Sequence, residues 1–269
     1  MSRKTTVILA LMLLLLGIVV LMYPTVSSYV NQLHGSYVIQ NLRAETEALE
    51  TEEVAAQRRL AEAYNAALAA GNTDGCENYG DILNFAGGVM GYLEIPKIRI
   101  NLPICHGVSD EVLEKAVGHL PQSAFPIGGE GNHTVLTGHT GLPGARLFTD
   151  LTDLEEGDVF YIHILEQTLV YQVDQIRVVL PSEADALWAV PGEDCCTLVT
   201  CTPYGINSHR LLVRGTRVEQ FAQTEVPLTE DAVEKPAMPV GIIAAMTAAA
   251  ALLAGSAVVL FRKRKSENN

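Results

Sequence analysis

The residues able to carry chemistry in this 269-residue chain are a few cysteines, histidines and arginines. Cys201 closes the apolar run CTLVTC (196–201) and precedes the turn residues Thr202-Pro203-Tyr204-Gly205. A strand end that opens into a loop can present a nucleophile, and a thiol paired with a histidine can be activated. His139 sits in the same kind of place, after TVLTG (134–138) and before Thr140-Gly141. Arg210 follows Cys201 by nine residues, so a turn and a returning strand can bring it back beside the thiol. On residues alone, a free cysteine on a strand is more often a small buried apolar side chain. Arg210 can equally be a surface ion-pair partner, since Arg214 and Arg217 follow on the same strand.

Other chemistries lack their spacing. There is no C-x-x-C and no H-E-x-x-H, and the adjacent Cys195 and Cys196 point to opposite faces of a strand. No metal and no cofactor is expected. Gly128-Gly129 and Gly131 do not form a phosphate cradle opening a helix. No acidic cluster has calcium-loop spacing. The net charge of −13, from 31 acidic and 18 basic residues, argues against a nucleic-acid partner. At 48% hydrophobic and 18% charged, the chain is not disordered.

The elements that must hold Cys201 and His139 are strands. After Gly75, short runs rich in Val, Ile, Leu, Thr and Tyr alternate with Gly and Pro: GYLEI (91–95), TVLTG (134–138), DVFYIHI (158–164), TLVYQVDQIRVVL (168–180), RLLVRGTRV (210–218). That pattern predicts an all-β barrel or sandwich. One short helix is expected at Asp110–Val117. Residues Gln40–Gly71, rich in Ala, Glu, Leu and Arg, predict a helical stalk with a thin apolar stripe of Leu42, Leu49, Leu60, Tyr64 and Leu68. The stripe is too irregular for a coiled coil. Thr5–Tyr23 and Pro239–Phe261 are uncharged runs of 19 and 23 residues, each long enough to cross a bilayer. The first exceeds a usual signal-peptide core and lacks a clear cleavage site. Arg3 and Lys4 before it, and Arg262–Lys265 after the second, place both termini in the cytoplasm and the middle outside.

The string TLVTCTPYGINSHRLLVRG (197–215) closely resembles the active-site motif of sortases, and within them the class C, pilus-assembling enzymes. HTVLTGHTGLPGARLFTDL (133–151) is similar to the catalytic-histidine segment of that class. MGYLEIPKI (90–98), the LPI and HG of 102–107, and GHLP (118–121) fit as well. The resemblance implies a mainly β fold, an eight-stranded sortase β-barrel with short helices, carried on an N-terminal helical stalk with a transmembrane helix at each end. It implies Cys201 as nucleophile, His139 as general acid/base and Arg210 as the stabilising cation. It implies a transpeptidase that cuts an LPxTG-like sorting signal between Thr and Gly and passes the acyl group to a pilin lysine amine. Partners are then pilins or surface proteins with sorting signals, and the lipid bilayer. An enzyme anchoring single proteins to the cell wall is the alternative, and an inert membrane scaffold a third.

Further expectations hang on that resemblance. Thr197, Thr200 and Thr202 flank the nucleophile and are candidates to line the site. Asp150 and Asp153 are expected as surface turn residues. Class C sortases often carry a lid with an Asp-Pro-aromatic anchor. None is present here, though Tyr79, Ile82, Leu83 and Phe85 form a candidate apolar plug, with Gly87-Gly88 as a hinge. Cys105 and Cys195 stand where an aromatic is expected, which suggests a disulfide between them. The expected layout is a tail 1–4, span 5–23, stalk 24–75, candidate lid 76–90, barrel 91–221, linker 222–238, span 239–261 and tail 262–269. On that layout the exterior holds 12 basic and 30 acidic residues, a charge of −18, and the interior +5.

Overall fold

The computed structural model describes residues 3–71, 78–183, 187, 192–218, 238–245 and 247–248. Cys76, residues 222–237 of the expected 222–238 linker, and positions 246 and 249–261 of the expected second span lie outside the described residues. Eight strands close a barrel: β1 Val89–Ile95, β2 Ile100–His106, β3 Val117–His119, β4 His133–Thr137, β5 Val159–Ile164, β6 Gln167–Val179, β7 Cys195–Thr202 and β8 His209–Arg217. Their order round the barrel is β1-β2-β3-β4-β7-β8-β6-β5, with β5 returning to β1. Closure removes the unpaired edges that an open sheet would expose.

Two pairs are parallel, β2 with β3 and β4 with β7. A parallel pair needs a crossover. The first crossover carries the helix α3, Asp110–Leu113, and the second spans β5 and β6. The expected helix at 110–117 is therefore cut short. Val117, Gly118 and His119 are taken into the barrel by pairing with β2 and β4. Strand β7 is buried on both faces from Cys195 to Thr200, which explains why CTLVT reads as a continuous apolar run rather than an alternating one.

The expected helical stalk is formed by two helices that pack on the barrel. Helix α1 runs from Arg3 to Glu47 through Pro24, and α2 runs from Thr51 to Ala69. Between them the chain turns at 48–50, where the Glu53 carboxylate accepts the Glu50 backbone N–H at 3.1 Å. Both helices lie on the barrel wall. Ile39, Leu42, Ala61 and Tyr64 are buried in the main core. Asn65 secures the contact from both ends of its amide: Nδ2 donates to the Phe125 carbonyl (3.2 Å) and Oδ1 accepts the Phe125 N–H (2.7 Å). The thin stripe that fails as a coiled-coil seam is thus a docking stripe. Of its members only Leu60 faces solvent.

The candidate lid residues do not form a cover over Cys201. Ile82, Leu83 and Phe85 are buried in the core under α1 and α2, and burial drives that placement at roughly 1.5–3 kcal/mol per side chain. The Leu83 N–H donates to Gln57 Oε1 of α2 (2.7 Å), and the Ala86 N–H to a Glu45 carboxylate oxygen of α1 (2.8 Å). Tyr79 stacks on Phe125 and His119 and accepts the Gly107 N–H at 2.9 Å. Among the described residues, these contacts run to the helices and to the β2–β3 side, away from β7 and β8.

Candidate active site

The register of three strands brings the site together. Cys201 on β7 and Arg210 on β8 are direct Cα partners in an antiparallel pair, so their side chains share a face. On the other side of β7, Thr137 of β4 is level with Val199 in the parallel pair. The Gly138 N–H donates to the Val199 carbonyl (3.1 Å), and the Thr200 hydroxyl donates to the Gly138 carbonyl (2.7 Å). His139 leaves β4 one step later, level with Cys201. Neighbouring strands are about 4.8 Å apart, so His139, Cys201 and Arg210 occupy three adjacent positions across one end of the barrel. All three are partly exposed.

The loop that carries His139 is held at several points. Phe148 packs its ring under Gly138, where a Cβ would come 2.9 Å from the ring. The Phe148 N–H donates to the His139 carbonyl (3.0 Å), and the Gly141 N–H to the Thr149 hydroxyl (3.1 Å). Arg146 and Asp150 form a surface pair, with Arg146 Nε 2.9 Å from the carboxylate. Asp150 is thus occupied away from His139, and Asp153 closes a short 3-10 turn.

Arg210 differs from its strand neighbours. Arg214 forms a two-pronged pair with Asp174, at 3.1 and 2.6 Å, and Arg217 lies over the Tyr171 ring. Arg210 Nη1 instead donates to the Asn207 and His209 carbonyls, at 3.3 and 3.1 Å. No carboxylate among the described residues pairs with it. The guanidinium has further donors beyond Nη1, on the face it shares with Cys201.

The other thiols have no such setting. Burial pushes Cys105 and Cys195 up to about 11 and raises Cys196 well above the usual thiol value, so all three stay protonated. The expected Cys105–Cys195 disulfide is absent, and both are free. Cys105 is on β2 and Cys195 on β7, with β3 and β4 between them. Three strand spacings, about 14 Å, exceed the Cα separation a disulfide can bridge.

The three threonines have different fates. Thr197 and Thr200 are buried, so neither lines the site. Thr197 Oγ1 sits 2.7 Å from His133 Nε2. Thr200 acts on the site indirectly, through its bond to Gly138. Thr202 alone is at the rim, opposite His209. Sequence reasoning missed the apolar cluster below Cys201. Val135, Val179, Val199 and Leu212 pack together, with Leu120 and Leu187 against them. Val199 is two residues before Cys201 and Leu212 two after Arg210, so period-2 alternation carried along the strands places both on the face of the thiol.

A thiol, an imidazole and a guanidinium with no carboxylate partner among the described residues, set side by side above an apolar cluster, can perform acyl transfer through a thioester. Comparison with known proteins points the same way. The sortase domain family matches residues 93–218. The crystal structure of sortase C1 from Streptococcus agalactiae is similar at 43% identity and a TM-score of 0.64, covering 67% of this chain and 97% of that one. A Streptococcus pneumoniae sortase C structure, described as informing catalysis and pilin substrate specificity, is 41% identical with a TM-score of 0.63, covering 68% and 96%. Sortase D of Bacillus subtilis is 29% identical over 150 residues, 55% of this chain and 73% of its own length.

Proposed function

Because the chain belongs to the sortase family of cysteine transpeptidases, we propose that it cleaves an LPxTG-like sorting signal between Thr and Gly and transfers the acyl group to a pilin lysine, building a covalent pilus. The observation that carries the reading is the pairing of Cys201 with Arg210 across β7 and β8, with His139 at the same level on the other side. The pilin assignment draws on the likeness to the Streptococcus pneumoniae enzyme and its pilin specificity.

In this reading the Cys201 sulfur attacks the Thr carbonyl carbon. The carbonyl π electrons move to oxygen, and the Arg210 guanidinium offsets the oxyanion. Collapse breaks the Thr–Gly bond, His139 donates a proton to the departing Gly amine, and a thioester remains on Cys201. The incoming lysine amine attacks the thioester and gives its proton to His139, and the C–S bond breaks so that Cys201 leaves as the thiolate. The Leu-Pro end of the signal then lies over the side of the barrel backed by the apolar cluster of Val135, Val179, Val199 and Leu212. Helix α1 is long and apolar enough to span a bilayer and anchors the barrel at the outer membrane face. The test is incubation of the full chain with a sorting-signal peptide, an amine acceptor and a pilin subunit. A peptide thioester on Cys201 and a ladder of covalent pilin multimers are expected from the native chain and neither from Cys201→Ala. Transpeptidation by Cys201→Ala would falsify the assignment.

A further inference from the structure

The mouth of the site lies at the end of the barrel past which the apolar part of α1 projects. Gly144, five residues after His139, sits against α1: a Cβ there would come 2.7 Å from Ser27 Oγ. Further along the wall, Asn31 Nδ2 donates to the Glu114 carbonyl at 3.3 Å, and Arg43 lies over the Tyr92 ring. The helix therefore enters the barrel contact beside the His139 loop and descends from there. Ser27 is four residues beyond Tyr23, the end of the uncharged run, or about 6 Å of helix axis.

The same end exposes a set of apolar side chains beside Arg210. Outside α1 and the 238–248 segment, six large apolar side chains are exposed among the described residues. Four of them are here. Val178 and Leu180 stand where β6 finishes beside Arg210, and Tyr204 and Ile206 lie in the turn after Cys201, 70% and 72% exposed. The loops 138–145 and 202–208 contain no Asp, Glu, Lys or Arg, in a chain of net charge −13.

We infer that this end of the barrel rests on the bilayer that α1 crosses, with Tyr204 and Ile206 entering the boundary between headgroups and acyl chains. A tyrosine ring and an aliphatic side chain on an uncharged loop suit that boundary, and the nearby span holds them at the right height. The thiol then opens at the level of the headgroups. The inference rests on the reading of α1 as a membrane span.

The test uses the full chain in phosphatidylcholine–phosphatidylglycerol vesicles, with Trp188, the one tryptophan, replaced by Phe. Three single probes are compared: Ile206→Trp at the rim, Leu13→Trp in the span and Leu60→Trp on α2. Brominated acyl chains are expected to quench the first two, with blue-shifted emission, and to leave the third unchanged. Quenching at position 13 without quenching at 206 overturns the docking and leaves the anchor standing. No quenching at 13 overturns both. Emission at 206 that ignores lipid and shifts only with a sorting-signal peptide assigns the rim to substrate and also overturns the docking.

Discussion

Arg210 and Arg214 are four residues apart on one strand and face the same side, yet their neighbours give them different expected roles. Arg214 is pinned by Asp174 near the surface, an arrangement worth about 1 kcal/mol or less. Arg210 meets only carbonyls and can turn to a forming oxyanion. Arg210→Ala is expected to lower kcat by on the order of a hundredfold or more, while Arg214→Ala leaves kcat within about twofold and shifts only the urea midpoint. Equal effects on kcat in a peptide-cleavage assay would count against the oxyanion role. Thr200 is a positioning residue in this scheme. Thr200→Val removes the bond that sets Gly138, and kcat should fall by roughly tenfold, about 1.4 kcal/mol, with KM little changed. Thr200→Ser restores the hydroxyl and should restore kcat.

A second residue-scale expectation concerns pH. His119 is fully buried, donates from Nε2 to the Ala124 carbonyl (2.9 Å) and receives the Tyr79 hydroxyl at Nδ1 (3.0 Å). Burial pushes it down to about 4. The unfolded chain binds this proton near pH 6.5, so the neutral imidazole supports the fold fully above that pH. The support is lost as pH falls from about 6.5 to 4, by up to roughly 3 kcal/mol. Urea unfolding at pH 7.5 and 5 should show the decline, and a flat profile would reject it.

At the scale of elements, the His139–Phe148 loop has a tight fit that a single methyl tests. Gly138→Ala must push the Phe148 ring aside, which is expected to cost about 1–3 kcal/mol and to displace His139. Thermal unfolding and kcat should fall together, and a Phe148→Leu second change should recover part of both. The 79–88 segment makes the opposite case. Leu83 is fully buried among α1, α2 and β1, so Leu83→Ala is expected to cost about 2–5 kcal/mol. Reaction of Cys201 with a vinyl sulfone should be unchanged in the folded fraction, whereas a lid would make the variant react faster. These two segments also show what the sequence could reveal. Strand ends at Thr137 and Cys201 were legible because apolar runs stop at turn residues there. The destination of Tyr79, Ile82, Leu83 and Phe85 was not. An apolar plug reads the same whether it caps a thiol or fills the space beneath two helices, and only the helix positions decide. The disulfide expectation failed for a related reason, since strand order, which separates β2 from β7, is not written in local pattern.

For the whole molecule, the barrel and its helices form one core. A stripe of five apolar positions in about thirty, too irregular for a coiled coil, does not name what it packs on. The partner is the barrel itself. Ile39, Leu42, Ala61 and Tyr64 share a core with Tyr79, Phe125 and Ile82, and Asn65 holds the Phe125 backbone by two bonds. The uncharged run up to Tyr23 and the part of α1 on the barrel wall are one helix, so the two can be separated by truncation. A chain beginning at Pro24 keeps every buried contact of α1 and α2 and should fold as a soluble, cleavage-competent enzyme. A chain beginning at Tyr79 exposes the faces of β1, β2 and Phe125 that the helices cover. Losing three large apolar burials alone, those of Ile39, Leu42 and Tyr64, removes about 5–9 kcal/mol, comparable with the whole stability of a domain. That chain is expected to aggregate or unfold. A cooperative thermal transition and native thiol reactivity in the chain starting at Tyr79 would mean that the helices only tether the barrel and do not help to build it.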